Sequence, residues 1–287
     1  MKTNLQIVCL ILATQIWMGC NDESLGFSSL QCADDVPGSG ENCVWEPAAN
    51  TDGVVRVNSA EDLEIRCNER CAEVDWLAMG GLPGVETIEG LNFLEKAGEI
   101  SIGSAQDLHT IQGFEGLESL YRLSLSTNQN LEFVKAFPYV DEIASVELSF
   151  NIILPDLSMF ERVKRIGLKD ELLPAQGLVI DSNYALVDLR GMENVEFISA
   201  FYIQYNRGME TLDGLESAEE LSYLQVDNNP ILHSLGSLGE TVKRVPLGIR
   251  MMNNPLLKRC EVEAFIAGLE EEPEIVELTN LSEEPCD

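Results

Sequence analysis

Apolar and polar residues alternate along this chain in short bursts that return at a nearly constant distance. In Leu123-Ser-Leu125-Ser-Thr-Asn128-Gln-Asn-Leu131, an apolar pair is followed by an asparagine and then by another leucine. Leu-x-Leu alternation puts both side chains on one face of a short strand. Equivalent pairs stand at Leu77/Met79, Ile100/Ile102, Val146/Leu148, Leu178/Ile180, Phe201/Ile203, Leu224/Val226 and Ile249/Met251. After each strand the apolar residues mostly recur at every third position, as in Leu186, Leu189, Met192, Val195 and Ile198. That period suits neither a regular helix nor a flat strand, and predicts a chain turning corners around an apolar axis. Roughly fifty inward positions at about 1.5–3 kcal/mol each predict a core able to offset chain entropy.

The asparagine recurs at Asn128, Asn151, Asn183, Asn206, Asn229 and Asn254, in steps of 23, 32, 23, 23 and 25 residues. A period this regular predicts a β-rich solenoid of stacked coils. Where a coil leaves its strand and bends, inward backbone groups lose their sheet partners. A side-chain amide can satisfy them and bond its neighbour one coil away, so the six residues predict an asparagine ladder inside an apolar interior. The long step carries an insertion placed at Leu168–Gly177, which should bulge outward as a surface loop, functional or neutral.

Both ends need covering, because a terminal coil has no neighbour. Val55-x-Val57 predicts the first strand and Ala60–Ile65 a short capping helix; Glu261–Leu269 and the strand Ile275–Leu278 close the far end. Ahead of these, Lys2, the apolar run Ile7–Ala13 and the Gly19-Cys20 junction read as an export signal over residues 1–19. The junction resembles the lipobox of bacterial lipoproteins, with Trp17 where a leucine is usual, and implies lipidation of Cys20. Residues 20–53, rich in Asp, Gly, Ser and Pro, read as an acidic flexible tether, and 54–287 as the solenoid.

Export reads the remaining cysteines as disulfides. Nearness in sequence suggests Cys32 with Cys43, Cys67 with Cys71, and Cys260 with Cys286. Zinc competes at Cys67-x-x-x-Cys71, but no second ligand pair lies nearby, and neither metal nor cofactor is expected. A net charge of −31, from 49 acidic and 18 basic residues, argues against nucleic acid and anionic membrane surfaces as partners.

No nucleophile elbow, phosphate loop or metalloprotease motif is present. His109 and His233 occupy equivalent turn positions and read as exposed. Asp181 and Asp227 share an outward column with Gln204 between them. Their backbones should stand about 10 Å apart, which suits a glycosidase pair poorly. Later coils gather Tyr202, Gln204, Tyr223, Gln225, Asp227 and Arg250 outward, where earlier ones carry Ser101, Gly103, Ser124 and Ser126. Tyrosine, amide and arginine on a rigid sheet form a candidate ligand face, although such side chains also simply pack across strands.

Glu86-Thr-Ile-Glu-Gly-Leu91, His109-Thr-Ile-Gln-Gly-Phe114 and Glu210-Thr-Leu-Asp-Gly-Leu215, with the ending Asn253-Asn-Pro-Leu-Leu-Lys-Arg-Cys260, resemble the receptor L domain in its bacterial lipoprotein version. The resemblance spans about residues 54–287. It implies right-handed, leucine-rich β-helix-like coils of about 23 residues with short capping helices at both ends. It also implies non-catalytic recognition or scaffolding of a protein or glycan ligand at the cell surface. The expected location is the bacterial cell envelope, as an outer-membrane lipoprotein, surface-exposed or periplasmic, and secreted if not lipidated. A purely structural surface protein and a carbohydrate-active solenoid enzyme are the alternatives.

Overall fold

The computed structural model describes residues 44–45, 53–168 and 177–286. Each apolar pair lies on a strand. Glu73–Gly80, Lys96–Gly103, Ser119–Ser126, Ser145–Ser149, Gly177–Asp181, Phe197–Gln204, Glu220–Asp227 and Gly248–Lys258 lie side by side in that order, every neighbour parallel. Parallel neighbours cannot be joined by hairpins, so each connection must cross back behind the sheet. Leu77 pairs with Ile100, Ile100 with Leu123 and Leu123 with Val146. The same line continues through Leu178, Phe201, Leu224 and Ile249. All eight are at most 1% exposed, so the pairs form one continuous core wall.

Behind this wall Thr87–Ile88, Thr110–Gln112 and Phe133–Lys135 form a small parallel sheet, so the three-residue period includes short strands as well as corners. Its packing explains the glycine of the Thr-Ile-x-Gly motif. Gly113 has φ +85°, and a Cβ there would meet the Gly90 nitrogen at 2.3 Å. Only glycine tolerates both conditions.

Among the described residues the helices are few and short. The first runs Ala60–Glu69, longer than expected; Ser59 Oγ accepts a hydrogen bond from Asp62 N at 3.1 Å, and the helix stops at left-handed Arg70. Gly236–Thr241 and Arg259–Ala267 lie at the other end, with a 3-10 turn at Ser158–Phe160 between. The last strand, Val276–Ser282, pairs in parallel with Gly248–Lys258, and a Cys260–Cys286 disulfide joins the helix start to the chain's last turn, as expected.

Ordered sheet begins ahead of the expected boundary at Val54. Val44–Trp45 pairs with Glu73 and Val74, and Trp45 is 2% exposed with its ring edge-on to Phe93 at 5.7 Å. An aromatic ring there removes apolar surface of the first coil from water. Cys71 is disulfide-bonded, to a partner outside the described side chains. Cys20, Cys32, Cys43, the Cys67 side chain and all but the two ends of the Leu168–Gly177 insertion also lie outside what is described.

Candidate functional site

The outer face of the sheet is held in place by the asparagines behind its end. Asn128, Asn151, Asn183, Asn206, Asn229 and Asn254 are all 0% exposed. At Asn206, Nδ2 donates to the Ile180 carbonyl at 2.9 Å and to the Gln204 carbonyl at 3.0 Å. Its Oδ1 accepts from Asn183 N at 2.9 Å, and its own N–H donates to Asn229 Oδ1 at 3.0 Å. Across the long step Asn151 N donates to Asn183 Oδ1 at 3.1 Å. The ladder ends at Ala105, whose N–H donates to Asn128 Oδ1, and at Leu281, the strand partner of Asn254. Every buried amide is thus occupied, which is what a polar line through an apolar interior requires.

The residue before each rung is left-handed. Thr127, Phe150, Ser182, Tyr205, Asn228 and Asn253 have φ between 56° and 60°. That bend swings the following asparagine inward, and four of the six residues are of types that seldom adopt it.

On the outer face Tyr202, Gln225 and Arg250 are consecutive strand partners, and so are Asp181, Gln204, Asp227 and Met252. Tyr223 stands in the next column, between Ala200 and Gly248. The Tyr202 and Tyr223 rings meet at 5.7 Å, tilted by 49°. Tyr223 OH donates to Gln225 Oε1 at 3.3 Å, and Gln225 Nε2 donates to Asp227 Oδ2 at 2.7 Å. Arg250 Nε lies 3.6 Å from Asp227 Oδ2 and 3.7 Å from Glu277 Oε2. Five of the six expected residues therefore form one linked cluster. The sixth, Gln204, turns the other way and donates to Asp181 Oδ2 at 3.0 Å.

Two features depart from the sequence reading. Asp227 stands in the outer column as the alternation predicts, yet it is only 4% exposed, with Gln225 and Arg250 against it. Burial pushes its carboxyl above the usual aspartate value, against the opposing pull of Arg250 and the Gln225 amide. Oδ1 is buried without a hydrogen bond of good geometry from any described residue, although the Met252 backbone stands close enough to favour the charged form. Burial also raises the phenols of Tyr202 and Tyr223, against the opposing pull of Arg250 on the second. Glu277 is the second departure. It joins the cluster because the last strand continues the outer column, a signal already present once Val276 is aligned with Ile249.

The other candidates stay apart. His109 is exposed, 3.6 Å from Glu132, and His233 lies 3.4 Å from the Ile231 carbonyl of its own turn. Asp181 is engaged by Ser182 Oγ at 2.7 Å as well as by Gln204. Among the described residues no group of three or more His, Cys, Asp or Glu could hold a metal ion, and no helix is long and apolar enough to cross a membrane. No family model, curated protein or solved structure matches this chain.

Proposed function

We propose that this chain is an exported, lipid-anchored envelope protein whose solenoid, with right-handed receptor-L-domain-like coils of about 23 residues, is a non-catalytic recognition module. The observation that carries the reading is the linked cluster of Tyr202, Tyr223, Gln225, Asp227 and Arg250 on the sheet's outer face. Half-buried, mutually bonded side chains lose little freedom when a ligand arrives, and two tyrosines with an arginine are the residues that most often anchor an interface. The carboxylates support binding over acid–base chemistry. Asp181 is bonded to Ser182 and Gln204, and Asp227 to Gln225, which leaves no facing pair across an open gap.

The test uses the full chain in detergent, bound to beads and presented with envelope polysaccharides and surface proteins from the same cells. Wild type should retain a component that the Tyr202→Ala/Arg250→Ala variant retains at least about tenfold less. Retention of nothing by either would favour a purely structural protein, equal retention by both would place recognition away from this face, and release of free sugar would favour an enzyme. Anchoring is tested separately: labelled palmitate should enter wild type and not Cys20→Ser, which should move to the soluble fraction.

A further inference from the structure

Beside the sheet face the left-handed residues form a surface of their own. Ser182, Tyr205, Asn228, Asn253 and Asn280 follow one another down the stack, one residue ahead of the buried rungs or of Leu281. Two residues further along each turn stand Tyr184, Arg207, Pro230 and Pro255. The two files line a groove of about 320 Å³. Its nine lining residues include one arginine and no carboxylate, in a chain with 49 acidic residues against 18 basic.

We infer that this groove binds an extended oligosaccharide, neutral or carrying uronic acids. Two observations and the ordinary spacing of neighbouring strands support it. Asn253 Nδ2 donates to Asn228 Oδ1 at 3.1 Å and Asn280 Nδ2 to Asn253 Oδ1 at 3.0 Å, an aligned row of amides with a second N–H each to offer a hydroxyl. Arg207 lies over the Tyr184 ring at 4.9 Å, and Tyr205 is 51% exposed, which places flat apolar faces and a cation beside the amides. The rungs repeat at about 4.8 Å, close to the advance of one pyranose unit, whereas an extended peptide advances about 3.3 Å per residue and alternates its side chains. The ladder behind the wall fixes each turn in advance, so little ordering is needed on binding.

This inference rests on the reading of the solenoid as a recognition module, and it places the sugar at a site apart from the Tyr202–Arg250 face. The full chain in detergent is screened by ligand-observed NMR against tetrasaccharides of glucose, xylose, N-acetylglucosamine and galacturonic acid. At least one should bind. Asn228→Gly with Asn253→Gly keeps the left-handed backbone, removes two amides and should weaken that binding at least about tenfold with little change in melting temperature. Tyr184→Ala with Arg207→Ala, which touches no left-handed residue, should do the same and serves if the glycine variant folds poorly. Tyr202→Ala/Arg250→Ala should bind the sugar as wild type does. Absence of binding by every sugar, binding that survives both groove variants, or a peptide library that competes for the groove would overturn the sugar assignment. Loss of sugar binding in the Tyr202/Arg250 variant alone would move the ligand to the face and leave the recognition reading standing.

Discussion

Strands Lys96–Gly103 and Ser119–Ser126 are built like Phe197–Gln204 and Glu220–Asp227 and decorated differently. Each has eight residues, a fully buried apolar pair and a neighbour in the same register. Outward, the early pair carries Ser101, Gly103, Ser124 and Ser126, and the late pair Tyr202, Gln204, Gln225 and Asp227. Small side chains leave the early face smooth around Ser101 and Ser124, and its ion pairs, Lys96 with Glu73 at 2.7 Å and Arg122 with Glu99 at 4.0 Å, lie toward the strand starts. The late face is linked from Tyr202 to Glu277. Inward residues therefore set the conformation, and outward ones are free to differ, which is where binding chemistry can accumulate.

If conformation belongs to the inward residues, breaking the ladder should hurt both halves alike. Asn206→Leu leaves Asn183 N and the Ile180 carbonyl without their partner, at about 1–3 kcal/mol for each buried group, or about 2–6 kcal/mol in all. Asn128→Leu should cost a similar amount by urea titration, since it removes the same bonds to Ile102 and Ala105. A much smaller loss at Asn128 would mean that the early half is not held the same way. Next comes the stack's end. Closing 26 residues, the Cys260–Cys286 bond should contribute about 3 kcal/mol, so Cys260→Ser/Cys286→Ser should lower the melting temperature without changing the face.

The face itself should separate the halves. Tyr202→Ala should reduce retention of the bound component by about tenfold at nearly constant stability, while Ser101→Ala with Ser124→Ala should leave both unchanged. The smallest effect is a pH dependence at Asp227. Burial raises its carboxyl in the folded chain, so folding takes up a proton there. That contribution is fully present below the ordinary aspartate value and is lost as pH rises through the higher folded value. Asp227→Asn, which cannot ionise, should therefore gain stability relative to wild type as pH rises above the ordinary aspartate value. A relative loss over that range would show that Arg250 outweighs burial.

The strand register and the ladder were legible because each rests on one recurring residue type at one recurring place. Leu-x-Leu and the asparagine survive in every turn from Asn128 to Asn254, so the pattern averages out local noise. The burial of Asp227 was not legible. Its column neighbour Gln204 has the same alternation but stands partly open, and the difference comes from Arg250 and Met252 on the next strand. Nor were the left-handed turns, since Thr127, Phe150 and Tyr205 carry no preference for that region. Asn228, Asn253, Asn280 and Gly81 do carry it, a signal visible only once the turns are aligned. The early start at Val44–Trp45 was hidden because two residues carry no period.

The step from Asn151 to Asn183 is 32 residues, and the bond between them, at 3.1 Å, falls within the 2.9–3.3 Å spanned by those across the 23-residue steps. The stack reads only where a turn begins and ends its rung, so the length of chain spent between rungs is not counted. For a lineage carrying such a chain, duplication of a turn or insertion between two rungs is a mutation with a small folding penalty. Reach, number of turns and the shape of outward loops can drift independently of foldability. A protein with the proposed recognition role would gain variation there without having to rediscover how to fold.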